Sequence, residues 1–312
     1  MSGETDLQKD AGPDRGPCHS LTQYCNTLIR IGKSRIPKVE PETYLLPYQG
    51  SLEDHKALLA DSKPVLERLI QLPQIQKAGI PTLMHYDLNK RNIFVSDIDP
   101  TVITGVIDWQ STSVEPGFIY ANEIPDFTTS STDPSELFSE DVDEGTPHTA
   151  SNQDSVEDAR ICSSTFEVIL KGLAPKIGLG RSLNEILLRP FRYAATSWRD
   201  SATAGRQELV ELFEKWNREL ELPGSCPYQP SPEQLQTHRD RYETFETAQK
   251  LKHWLVTMLR TSSDGWVPAD AWDAARAANK AAFEQWMQSA KESQEMDEQQ
   301  ARALWPFEEM GD

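Results

Sequence analysis

The stretch Ile80–Trp109, IPTLMHYDLNKRNIFVSDIDPTVITGVIDW, constrains the fold more than any other part of the chain. It holds two short β-type runs, Asn92-Ile93-Phe94-Val95 and Val102-Ile103-Thr104-Gly105-Val106-Ile107. Between them Ser96-Asp97-Ile98-Asp99-Pro100 is rich in turn formers, so the pattern predicts a β-hairpin. A hairpin folds its second strand back along its first. Asn92, where the first strand starts, and Asp108, just past the second, are therefore expected at the same open end. Upstream, a His-x-Asp string adds His85 and Asp87 and completes four side chains at fixed spacing.

Phosphoryl transfer uses this set of residue types. A hydroxyl nucleophile needs a carboxylate that orients it and takes its proton. The charge of a nucleotide needs Mg2+, a hard cation served by one or two carboxylate or amide oxygens plus phosphates. Asp87 is expected to be the base, with Asn92 and Asp108 holding the metal. His85 is expected to brace the loop through backbone hydrogen bonds. Singly, each has a plainer reading: an Asp or Asn in a turn is commonly a cap or Asx-turn residue, and a lone His a structural one. The spacing of the whole set argues for the catalytic reading.

Length and charge set limits on the rest. A chain of 312 residues fits one large domain or two small ones. With 31 Lys+Arg against 49 Asp+Glu the net charge is −18. Nucleic acids and anionic membranes need a cationic footprint, so neither is expected as a partner. No apolar run approaches the ~20 residues that cross a bilayer. Glu4, Asp6, Asp10 and Asp14 argue against a secretory signal or a mitochondrial presequence, which leaves an intracellular chain as the expectation. Cys18, Cys25, Cys162 and Cys226 form no CxxC pair and no metal-ligand spacing, and are expected as free thiols.

The pattern outside the hairpin is helical, so the expected fold class is mainly α (α+β): a helical lobe carrying a short β-hairpin. Residues 1–18 are expected to be disordered. Apolar periodicity predicts helices over Leu21–Arg35 and Leu52–Ile70, the second broken or bent near Pro64. Residues 19–121 form the first folded part. The span 122–158, with eleven acids and no Lys or Arg, reads as a disordered, solvated insertion. Residues 159–290 form the helical remainder. It holds helices from Ile161 to Leu173, two or three between Leu183 and Trp216, one from Pro232 to about Leu259, and one from Ala269 to about Met287. A polar tail over 291–312 is expected to fray.

His85-x-Asp87-x4-Asn92 followed by Val106-Ile107-Asp108-Trp109 resembles the aminoglycoside phosphotransferase and choline kinase-like family of the protein kinase-like fold. Further strings are similar to a fungal branch, the "altered inheritance of mitochondria" phosphotransferase-like proteins. They are Ile103–Thr112, Leu188-Arg189-Pro190-Phe191-Arg192-Tyr193, Ser197-Trp198-Arg199-Asp200, Leu222–Tyr228 and Asp264-Gly265-Trp266-Val267-Pro268. The resemblance spans roughly Asp14 to Met287. It implies ATP- and Mg2+-dependent phosphate transfer to a small-molecule or protein hydroxyl. Asp87 is then the base, and Asn92 and Asp108 are the cofactor-binding metal ligands.

The sequence departs from that family in two ways. No Gly-rich phosphate loop and no strand lysine precede His85, so only the C-terminal lobe is expected, with the N-terminal β lobe absent. Asn89 stands where the family commonly has Lys or His. Nucleotide binding and turnover are accordingly expected to be weak, and the alternative is a pseudokinase serving as a binding or scaffold module. A hydrolase using the same carboxylates ranks last. An apolar face left by the missing lobe is expected to take a protein partner or a second copy. Trp198, Arg199, Asp200 and Arg192 are candidate acceptor contacts, no better supported than as amphipathic helix surface. The family name points to mitochondria.

Overall fold

The computed structural model describes residues 17–39, 46, 48–85, 87–128, 149–261, 265–293 and 296–307, without the side chains of 149–156 and Ser111. Most of the acidic segment and the N-terminal sixteen residues lie outside this set. In chain order the elements are α1 (Leu21–Arg35), α2 (Leu52–Leu69), α3 (Pro73–Ala78), β1 (Pro81–Met84), β2 (Ile93–Val95), β3 (Ile103–Val106) and β4 (Ser113–Pro116). After these come α4 (Thr149–Leu173), α5 (Pro175–Arg181), α6 (Arg189–Asp200), α7 (Ala202–Lys215), α8 (Pro232–Leu259), α9 (Trp272–Ser293) and α10 (Glu298–Ala303). The protein is mainly α with small antiparallel β elements, as its periodicity requires. No described helix is long and apolar enough to cross a membrane. All four cysteines are free.

The chain forms two compact units. The first comprises residues 1–76 and 184–242. Helices α1, α2, α6 and α7 pack there around Leu58, Leu59, Leu66, Leu69, Phe191, Leu209, Leu212 and Trp216, all 1% exposed or less. Gly32 permits the closest approach: a Cβ at that position would sit 2.1 Å from the Ala194 carbonyl oxygen. Helix α2 begins at a capping box, with Ser51 Oγ accepting from the Asp54 amide and Asp54 accepting from the Ser51 amide. Of the break or bend expected near Pro64, the break does not occur: α2 runs through the proline. Buried Leu58, Leu59, Val65 and Leu66 hold both sides of the proline, and the bond it cannot donate would go to Ala60, which is exposed to water.

The second unit comprises residues 77–183 and 243–312. Its β2–β3 hairpin pairs Ile93 with Val106 and Phe94 with Gly105, and shifts register before Val95. A second two-stranded sheet, β1–β4, pairs Pro81 with Pro116 and Leu83 with Val114. Leu83 and Val114 face solvent together at 61% and 64% exposure, which leaves an uncovered apolar pair on that sheet. Helix α4 starts at Thr149, ahead of the Ile161 start read from its apolar period. The tail departs furthest from expectation. An Asp297/Gln300 capping box starts α10. Ala301, Leu304 and Trp305 are then buried, with Trp305 edge-on to Phe283 and Trp286 Nε1 donating to the Ala301 carbonyl at 2.8 Å.

Two buried titratable groups of the first unit have opposite pH dependence. Burial pushes the Glu208 carboxyl from 4.5 up to about 7; Arg189 Nε lies 2.7 Å from it, at an angle too poor for a hydrogen bond. The unfolded chain loses that proton near 4.5, so the contribution of Glu208 to stability falls as pH rises through 7. Burial, with Arg206 and Arg241 nearby, lowers His238 to about 4, so its contribution falls as pH drops below 6.5 toward 4. Glu208→Gln is therefore expected to gain thermal stability over wild type as pH is raised from 5 to 8. His238→Gln should gain over wild type as pH is lowered from 7 to 4. Melting temperatures by circular dichroism across that range test both, and parallel wild-type and variant curves would refute the assignment.

Candidate functional site

Asp87, Asn92, Asp108 and His85 all belong to the second unit, where the hairpin and the β1–β4 sheet position them. Asn92 closes a 3-10 turn over Lys90–Asn92 that leads straight into β2. Its side chain is 4% exposed and donates through Nδ2 twice, to the Asp87 carbonyl at 2.7 Å and to Asp87 Oδ2 at 3.1 Å. Its own carbonyl accepts from the Ile107 amide at 2.9 Å, which fixes the start of β2 against the end of β3. One residue ties the His-x-Asp loop to both strands.

Asp108 follows directly. It sits in the left-handed region, φ 65° and ψ 48°, where an aspartate is tolerated better than most side chains. It precedes the 3-10 turn Trp109–Ser111 without making a side-chain capping bond to it. Strand β3 thus ends in a reversal that holds Asp108 one residue from the Ile107–Asn92 bond. His85 Nε2–H donates to the Ile107 carbonyl at 2.8 Å, and the ring stands edge-on to Trp109 at 4.7 Å. Trp109 Nε1 donates in turn to the Val106 carbonyl at 2.7 Å.

The Asp87 carboxylate is heavily engaged. Arg91 Nη2 donates to Oδ2 at 2.6 Å, and Asn89 Nδ2 donates to Oδ1. The Arg91 hydrogen bond, with its charge and the Asn92 bond, holds this carboxyl below the usual range. Asn89 and Arg91 are the site residues that the motif did not single out. Arg91 lies four residues after Asp87, a spacing at which an acid and a base meet on a helix, so the sequence did contain a signal. Nearby, the Lys90 amide donates to Asp126 Oδ1 at 2.9 Å and anchors the turn to residues beyond the hairpin.

Metal fit turns on oxygen donors. Asn92 spends its nitrogen on Asp87, which leaves Oδ1 unused among the described residues, and Asp108 offers a carboxylate. One amide and one carboxylate oxygen suit a hard divalent cation that brings phosphate and water as its remaining ligands. No cluster of three or more His, Cys, Asp or Glu that could hold a metal occurs among the described residues. The donor set therefore fits Mg2+ shared with a nucleotide better than a metal held by protein alone. The acceptor candidates Arg192, Trp198, Arg199 and Asp200 lie on α6, in the first unit. There Trp198 packs on the buried His55 at 4.8 Å, and Arg199 is bound to Asp200 at 2.6 Å.

Residues 9–116, about a third of the chain, match the family described as APH, phosphotransferase enzyme family. The matched stretch contains all four motif residues. It supports a phosphotransferase-like segment over that part of the chain. No curated protein and no solved structure matches significantly.

The bonding predicts how the loop responds to substitution. Asn92→Ala leaves the Asp87 carbonyl without its donor and is expected to cost roughly 1–3 kcal/mol. Asp108→Gly relieves left-handed strain and is expected to be neutral or stabilising by up to about 1 kcal/mol, whereas Asp108→Val is expected to destabilise. Urea denaturation of the three variants ranks them. Asp108→Val as stable as Asp108→Gly would refute the backbone argument.

Proposed function

We propose that this chain carries the catalytic loop of an ATP- and Mg2+-dependent phosphotransferase acting on a hydroxyl group. The observation that carries the proposal is the pair of hydrogen bonds from Asn92 Nδ2 to Asp87, which orients the carboxylate and leaves Oδ1 of the same amide without a partner among the described residues. Asp87 orients the acceptor hydroxyl and takes its proton. Its low pKa keeps it ionised at neutral pH and so able to accept the hydrogen bond from the incoming O–H. Asn92 and Asp108 hold Mg2+, which when bound neutralises charge on the nucleotide phosphates. His85 positions Ile107, and through it Asp108, without taking part in the chemistry.

A second reading, a pseudokinase that binds nucleotide or a partner without turnover, is favoured by one feature. Arg91, Asn89 and Asn92 together occupy both oxygens of Asp87. Unless Arg91 swings away, an acceptor hydroxyl has to compete with three donors. Arg91 is largely exposed, so that movement meets little packing resistance.

Calorimetric titration of the full chain with Mg·ATP tests the assignment. Binding that is weakened roughly tenfold or more by Asp108→Asn is expected, as for loss of a charged ligand. Asp87→Ala should leave that binding in place while removing transfer of labelled γ-phosphate to a panel of hydroxyl compounds. Binding without transfer in the wild type favours the pseudokinase, and absence of Asp108-dependent binding overturns the phosphotransferase reading and leaves only a module that binds a partner without nucleotide.

A further inference from the structure

The first unit contains a polar groove that the phosphotransferase reading does not use. It has a volume of about 360 Å3 and lies between α2, α7 and the opening turns of α8. Its lining from α2 and α7 includes the small side chains of Ala57, Ala202 and Thr203. The α8 wall presents Gln234, Thr237, His238 and Arg241, at the spacing of one helix face. Gln234, Thr237 and Arg241 on this stripe are exposed, and His238 alone is buried. Here small residues oppose a polar stripe, and the three helices leave a gap that their side chains do not fill.

Charge is distributed along this groove in an ordered way. At one end Arg241 Nη1 donates to Asp54 Oδ1 at 2.9 Å. At the other, Arg206 Nη1 donates to Asp61 Oδ2 at 2.8 Å and to the Tyr228 hydroxyl at 3.2 Å. Glu233, eight residues before Arg241 on α8, brings a further carboxylate to the Asp61 end. Between the ends, His238 is 5% exposed, and its Nε2 lies 2.8 Å from Gln207 Oε1. Asp54 and Asp61 are seven residues apart on α2, so the two ends are separated by about 10 Å.

This pattern selects a ligand class. The Asp61 end holds two carboxylates, Asp61 and Glu233, against the single guanidinium of Arg206, and the other end pairs Arg241 with Asp54 alone. An apolar ligand would leave the charged ends of the groove, Glu233 and Arg241, without a complementary partner. A molecule with an ammonium at one end and a carboxylate at the other matches both ends. The ammonium has three donors for Glu233 and Asp61, and Arg241 keeps free N–H donors after its bond to Asp54. An extended chain advances about 3.3–3.6 Å per residue, so a tripeptide with free termini spans the distance.

We propose that the groove between α2, α7 and α8 is a binding site for a short peptide-like zwitterion, with its ammonium at Glu233 and Asp61 and its carboxylate at Arg241. Triglycine titrated into the full chain by calorimetry is the test. N-acetyl-triglycine, which lacks the ammonium, and triglycine amide, which lacks the carboxylate, serve as controls. Triglycine is expected to bind, with each control weaker by roughly tenfold or more. Arg241→Gln should abolish the advantage of triglycine over its amide, and Glu233→Gln its advantage over the acetylated form. Ala57→Leu, an exposed helix position, fills the groove and should remove binding while the melting temperature stays near wild type. No triglycine binding, equal binding of the controls, or binding unchanged in Ala57→Leu would overturn the proposal.

Discussion

The hydrogen bonds made by Asn92 organise the motif loop and the hairpin. A buried amide cannot be left unpaired without a cost comparable to a sizeable fraction of a domain's net stability. Asn92 avoids that cost by bonding to Asp87 with its side chain, while its backbone carbonyl takes the Ile107 amide. The His-x-Asp loop, the start of β2 and the end of β3 therefore form together or not at all. A loop that would otherwise be a mobile connection is given a fixed geometry by one side chain. His85 reinforces it from the opposite direction by donating to the carbonyl of Ile107, the residue whose amide Asn92 receives.

Much of this architecture was legible because the chain states it locally. The hairpin follows from two β-type runs around a turn, and α1 and α8 end where their apolar periods end. What was not legible involves partners distant in sequence. The β1–β4 sheet joins Pro81–Met84 to Ser113–Pro116 across the whole His-x-Asp loop and hairpin, and neither segment alternates strongly enough to announce a strand. The tail reads as polar because its acids and glutamines outnumber Ala301, Leu304 and Trp305, yet those few residues decide its burial. Pro64 carries a strong local rule that tertiary burial on either side outweighs.

The site divides the same way. The four motif residues could be named from spacing, since hairpin geometry alone brings Asn92 and Asp108 to one end. The closing of Asn89 on Asp87 could not, because it depends on the rotamers of a short turn, and for Arg91 the four-residue spacing was the one signal. The polar groove of the first unit shows the limit more sharply. Its lining comes from three helices and the connection before α8, and no single segment carries a recognisable string.

The left-handed backbone at Asp108 means that this position is filtered twice. The proposed chemistry asks for an oxygen ligand, and the φ angle of 65° favours glycine, asparagine or aspartate. Asparagine and aspartate satisfy both best. Glutamate, which keeps the charge, is less favoured in this backbone region, although Glu221 adopts φ 50° in the same chain, and glycine, which suits the backbone, has no side-chain oxygen to offer. The chain has accordingly little freedom to drift at this residue while keeping its hairpin closed. A homologue with a β-branched residue here would have lost the reversal of the chain along with the ligand.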